Sequence, residues 1–181
     1  SYCMPPEGLD WLPTEETLTD AEVVRLVRIG VERLGIRQVR FTGGEPLLRR
    51  GLEGIIAECS QLRTDEGQTP DLALTTNALG LAKRAQGLRD AGLDRVNISL
   101  DSLDREHYAA ITRRDRLDDV LEGIEAAARA GLSPIKVNTL VLRGMNEADL
   151  PDLVDYCLDR GIELRVIEQM PIGPPDTWGI S

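Results

Sequence analysis

Between Thr19 and Leu34, the apolar residues Val23, Leu26, Val27, Val31 and Leu34 fall at the three- and four-residue intervals of one helix face. Thr19 stands where an N-cap belongs, Glu22 three residues on completes a capping box, and Gly35 ends the run. Further helical patterns cover about 50–62, 80–91, 117–131 and 149–160, with a short one over 104–111 that begins at Asp104. Strand-like runs lie between them at 37–42, 71–76, 94–100, 135–141 and 162–168. The stretches 64–70 and 143–149 are polar and read as connections. Strand and helix in regular alternation predict an α/β fold of parallel strands with right-handed crossovers.

The strands are not the continuous apolar runs of a sheet covered on both faces. Val39 and Phe41 alternate with Arg40 and Thr42. Val96, Ile98 and Leu100 oppose Asn97, Ser99 and Asp101, and Ile135 and Val137 oppose Lys136 and Asn138. Ile162, Leu164 and Val166 oppose Glu163 and Arg165. Because side chains alternate faces along a strand, one face meets helices. The other gathers Arg40, Thr42, Thr75, Asn77, Asn97, Ser99, Asp101, Lys136, Asn138 and Arg165. Two architectures fit: a two-layer sheet with one wet face, or an open, curled β/α barrel with a polar lumen. Barrel enzymes carry their chemistry at the C-terminal strand ends.

At 181 residues the chain reads as one domain, 1–181, large enough to bury a core. A net charge of −10 argues against a general nucleic-acid binder. No apolar run approaches the roughly 20 residues of a membrane span, and no signal-peptide pattern opens the sequence. Cys3, Cys59 and Cys157 make no disulfide framework, which fits a reducing cytoplasm. Cys59 and Cys157 occupy apolar positions of helical patterns and read as core filling. His107, the one histidine, reads as a surface residue.

Gly43-Gly44-Glu45-Pro46 directly follows the strand pattern 37–42. Glycines without Cβ let a ligand approach backbone closely, Glu45 offers an acceptor to a cationic group, and Pro46 stops strand pairing. The same four residues also suit an ordinary turn. Only two of the 21 basic residues are lysines, Lys83 and Lys136, and Lys136 sits inside a strand. An unpaired ammonium is costly to bury. Either a phosphate-bearing ligand meets Lys136, or a carboxylate such as Asp101 on the same face does.

Six segments in order, spread over nearly the whole chain, carry a resemblance. They are Tyr2-Cys3-Met4-Pro5, Arg40 to Leu47, Leu74-Thr75-Thr76-Asn77, Val96 to Asp101, Lys136-Val137-Asn138 and Ile167 to Pro171. Together they resemble the radical S-adenosylmethionine (SAM) superfamily and, within it, the GTP 3′,8-cyclase family of molybdenum cofactor biosynthesis. The resemblance implies an open, partial parallel β/α barrel lacking its first strand. It implies Cys3 as a ligand of a [4Fe-4S] cluster, and Tyr2, Gly44, Ser99 and Met170 as SAM contacts; Met170 equally suits plain core. It implies Arg40, Thr75 and Lys136 as GTP contacts.

In that family the cluster reduces SAM, the resulting 5′-deoxyadenosyl radical takes the C3′ hydrogen of GTP, and the carbon radical adds to guanine C8. No acid–base residue is implied. A missing first strand would leave the strand containing Arg40 with an unpaired edge, which invites pairing with another chain, so self-association, as in a homodimer, is expected. The resemblance also implies a product consumed by cyclic pyranopterin monophosphate synthase. The family's first two cluster cysteines would lie just before Tyr2, and the cysteines of a second [4Fe-4S] cluster beyond Pro171, so the chain reads as a fragment expected to be inactive alone. Another radical SAM enzyme, such as a peptide maturase, and a non-catalytic barrel module are the competing readings.

Overall fold

A computed structural model describes Pro13 and residues 16–168. The elements run α1 (Asp20–Leu34), β1 (Gln38–Phe41), α2 (Leu52–Ser60), β2 (Asp71–Thr76), α3 (Leu81–Asp90), β3 (Arg95–Ser99), α4 (Arg105–Thr112), α5 (Leu117–Arg129), β4 (Ile135–Leu140), α6 (Leu150–Asp159) and β5 (Glu163–Ile167). Single 3-10 turns at Pro46–Leu48 and Glu147–Asp149, which the polarity pattern does not reveal, precede α2 and α6.

The predicted signals act locally as expected. The Thr19 hydroxyl accepts from Glu22 N, and the Glu22 carboxylate accepts from Thr19 N at 2.8 Å. Gly35 closes α1 in the left-handed region at φ 69°. Asp104 caps α4 by accepting from His107 N at 2.9 Å.

The five strands form one parallel sheet in the order β1-β2-β3-β4-β5. A doubly wound sheet would reverse direction partway. Unbroken sequential order with right-handed crossovers places every helix on one face, as in the wall of a β/α barrel. β1 and β5 are the sheet's edges among the described residues, so the barrel is open.

The helix-facing side is the core: Leu72, Leu74, Val96, Ile98, Leu100 and Val137 are fully buried against residues such as Ile56, Leu88, Val120 and Ile124. α3 and α5 pack closely, because Gly123 of α5 lies over Ala78 and Leu81 where any Cβ would come within 3.0 Å of the Ala78 carbonyl.

One expectation fails on α1. Leu26 and Leu34, counted on the inner face, are 57% and 71% exposed, and the buried stripe is Val24, Gly30 and Val31. α1 packs on α2 at the β1 edge of the sheet, so only a narrow side of it is covered.

Candidate functional site

Register fixes what shares the open face. Thr75 pairs with Asn97, Asn97 with Lys136, and Lys136 with Glu163, forming one row across β2 to β5. The next row toward the C-terminal strand ends joins Ser99, Asn138 and Arg165. The row below joins Arg40, Ala73 and Arg95. Arg40, Thr75, Ser99 and Lys136 are thus brought to one face.

The rows are chemically connected. Asn97 donates from Nδ2 to the Thr75 hydroxyl at 3.2 Å. Lys136 Nζ lies 2.6 Å from a Glu163 carboxylate oxygen, and Arg165 Nε donates to the other at 2.8 Å. The carboxylate that meets Lys136 is therefore Glu163 and not Asp101, whose Oδ1 instead accepts from Leu140 N at 2.8 Å. These two cations, Lys136 first, hold the Glu163 carboxyl below its ordinary range. Arg95 forms a two-pronged pair with Asp71, at 2.7–3.0 Å, which raises its already high pKa. With Arg40, the strands of this face carry four cations against the carboxylates Asp71 and Glu163, with Asp101 just past the end of β3, in a chain of net charge −10. The sign of the site is opposite to that of the molecule, which favours an anionic ligand.

Two side-chain atoms on this face, Asn97 Oδ1 and Asn138 Oδ1, are buried without a hydrogen-bond partner. Asn97 as a whole is only 1% exposed. Buried polar atoms are nearly always paired, so these two unused acceptors mark a place where a donor belongs.

The Gly43-Gly44-Glu45-Pro46 segment forms the turn at the C-terminal end of β1, the end where a barrel site is expected. Gly43 adopts φ 145° with nothing within 4 Å of where a Cβ would stand, so its backbone is open to a ligand. Gly44 beside it is exposed. Glu45, expected to offer an acceptor to a cationic group, also serves the fold. Its carboxylate accepts from the Thr76 hydroxyl at 2.6 Å, Asn77 N at 2.8 Å and Leu47 N at 3.0 Å. The turn is gripped from its other side by Arg84 of α3, which donates to the carbonyls of Leu47 and Arg49 and pairs with Glu53. Sequence reasoning missed Arg84 and Arg95; it set Glu163 on the polar side of its strand without singling it out as the partner of Lys136. Strand parity alone could have placed Arg95 on the face; Arg84 lies on a helix and gave no signal.

His107 is exposed as predicted, but it is not alone. Its Nδ1 lies 2.9 Å from Asp149, which also accepts from the fully buried Ser102 hydroxyl at 2.5 Å. Asp149 raises the His107 pKa above its ordinary value. The three residues tie the start of α4 to the start of α6.

Cys59 and Cys157 are 0% and 1% exposed, in α2 and α6. Burial pushes the Cys59 thiol up to about 11 and the Cys157 thiol upward too, the behaviour of inert core residues. No three His, Cys, Asp or Glu side chains among the described residues are placed to hold a metal ion. These residues therefore make no iron–sulfur site, while the open turn at Gly43 and the unpartnered Asn138 Oδ1 beside Ser99 leave room and an acceptor for a ligand. Tyr2, Cys3 and Met170 lie outside the described residues. A cavity of about 290 Å³ opens at the opposite end of the sheet, between Ile124, Leu132, Arg160 and Ile162, away from these groups. No helix among the described residues is long and apolar enough to cross a membrane.

Residues 1–157 match the radical SAM superfamily. GTP 3′,8-cyclase of Corynebacterium glutamicum is 62% identical over 178 residues, covering 98% of this chain and 47% of the relative. The enzyme of the same name from Mycobacterium marinum is 56% identical, covering 98% of this chain and 48% of its own. The chain thus spans about half the length of the curated relatives it matches. Among solved structures, SuiB of Streptococcus suis bound to S-adenosylmethionine superimposes with a TM-score of 0.70 at 19% identity, covering 87% of this chain and 35% of SuiB. HydG, a maturase of the [FeFe]-hydrogenase, gives 0.69 at 16% identity, covering 91% and 39%. At such low identity these two structures speak for the fold alone.

Proposed function

Because this chain belongs to the radical SAM superfamily, we propose that it is the core of a GTP 3′,8-cyclase, the lyase that opens molybdenum cofactor biosynthesis. The observation that carries the reading is the Thr75–Asn97–Lys136–Glu163 row beside Arg40, a cationic and hydrogen-bonding face in an acidic chain. Sequence identity above one half with enzymes of that name supports the same conclusion. Lys136 and Arg40 would bind the triphosphate, Lys136 as a compact charge and Arg40 through its donor fork. Thr75 would bind the same nucleotide.

Gly44, Ser99, Tyr2 and Met170 would hold SAM, and Cys3 would be one thiolate of a [4Fe-4S] cluster. When bound, SAM with its cluster supplies the one-electron chemistry; the whole protein would hold a second cluster as well. This chain's residues bind and orient the two nucleotides and keep water from them. The reading carries with it a single domain over 1–181, a cytoplasmic location, a homodimer, and a product passed to cyclic pyranopterin monophosphate synthase.

The test is anaerobic turnover of the whole protein with SAM, GTP and a strong reductant. GTP consumed in step with 5′-deoxyadenosine formation is expected. 5′-Deoxyadenosine formed with GTP untouched would refute the substrate assignment.

A further inference from the structure

Lys136 has a 14% exposed side chain, and its ammonium meets Glu163, whose side chain is 47% exposed. The cation is therefore the enclosed partner, and the anion is the one facing open space. Glu163 is also bound by Arg165 of its own strand at 2.8 Å. On the opposite flank of Lys136, in the same row, stands Asn97 with a buried Oδ1 that has no partner. Thr75 lies beyond Asn97 on that same flank.

We propose that Glu163 is a positioning residue that holds Lys136 while no anion occupies the face and releases it to an incoming phosphate. This rests on the reading of Lys136 as a phosphate ligand. An enclosed ammonium needs a counter-charge at all times. Glu163 supplies one in the free protein, and a polyphosphate offers a stronger one because it carries more than one negative charge. Release does not strand the carboxylate, since Arg165 stays bound to it. Nor does the lysine move into a void: a swing away from Glu163 carries the ammonium toward the unused Asn97 acceptor and toward Thr75. Glu163 thereby competes with phosphate for one lysine, and its charge sets how tightly phosphates are held.

The test is calorimetric binding of inorganic triphosphate, GTP and guanosine to the whole protein and its variants. Glu163→Gln should tighten triphosphate and GTP about three- to tenfold and leave guanosine unchanged, since one competing charge is lost. Glu163→Asp, which keeps the charge, should stay near the parent value for all three. A merely structural Glu163 would instead weaken all three ligands together, and that result, or unchanged triphosphate binding, overturns the inference. Lys136→Ala separates the two levels. If it leaves triphosphate binding intact, the phosphate reading of Lys136 fails and the inference with it. If it weakens binding while Glu163→Gln does not tighten it, the inference alone falls.

Discussion

Glu45, in the turn after β1, accepts a 2.6 Å hydrogen bond from the hydroxyl of Thr76 at the end of β2. Through the same carboxylate it holds Asn77 N and Leu47 N, so one side chain fixes the glycine turn to the neighbouring strand end. Glu45→Ala strands three donors in a part-buried place and should lower unfolding stability by about 2–4 kcal/mol. Glu45→Gln keeps one acceptor oxygen and should lose less. Urea denaturation midpoints check this; a Glu45→Ala variant as stable as the parent would contradict it.

The glycine turn shows what sequence could and could not tell. Its place at a strand end was legible because Val39 and Phe41 alternate cleanly with Arg40 and Thr42. The same alternation sorted Arg40, Thr75, Asn97, Ser99 and Lys136 onto one face. What Glu45 binds was not legible, because Thr76 lies 31 residues away and only strand register brings them together. The partner of Lys136 was open for the same reason: parity allows Asp101 or Glu163, and register selects Glu163. On α1, periodicity misassigned Leu26 and Leu34, because a helix at the end of a sheet is covered on a narrower side than the pattern assumes.

His107 makes the link between α4 and α6 sensitive to pH. Asp149 raises its folded-state pKa above the ordinary histidine value near 6.5. Its stabilising contribution is therefore complete below about 6.5 and is lost as pH rises through the higher folded value. A thermal midpoint followed from pH 6 to 9 should show this decline in the parent. His107→Ala should remove that part of the slope; an identical slope in both proteins would show that the pair contributes nothing.

Gly123→Ala tests the closeness of α3 and α5. Alanine gains about 1 kcal/mol of helix propensity over glycine. Its Cβ, however, meets the Ala78 carbonyl at 3.0 Å and the Ala78 Cβ at 3.2 Å. Overpacking against backbone, at about 1–3 kcal/mol, should win, leaving a net loss of up to about 2 kcal/mol in urea unfolding. A stabilised variant would mean that the two helices are free to move apart.

The 181-residue chain by itself should not assemble a four-iron cluster. Of its three cysteines, Cys59 and Cys157 are enclosed in helices with thiols held protonated. Anaerobic reconstitution with iron and sulfide should give well under four irons per chain. Stoichiometric loading would require both helices to open, which circular dichroism would register.

The central claim is that the polar face binds the nucleotide triphosphate through Lys136, and one comparison tests it most directly. In the whole protein, affinities for GTP and for SAM are measured in the parent and in Lys136→Ala. A charge-assisted contact is worth about 1.5–3 kcal/mol, so GTP binding should weaken about ten- to hundredfold while SAM binding stays within about twofold. Equal losses for both ligands would contradict the claim and assign Lys136 to holding the sheet through Glu163.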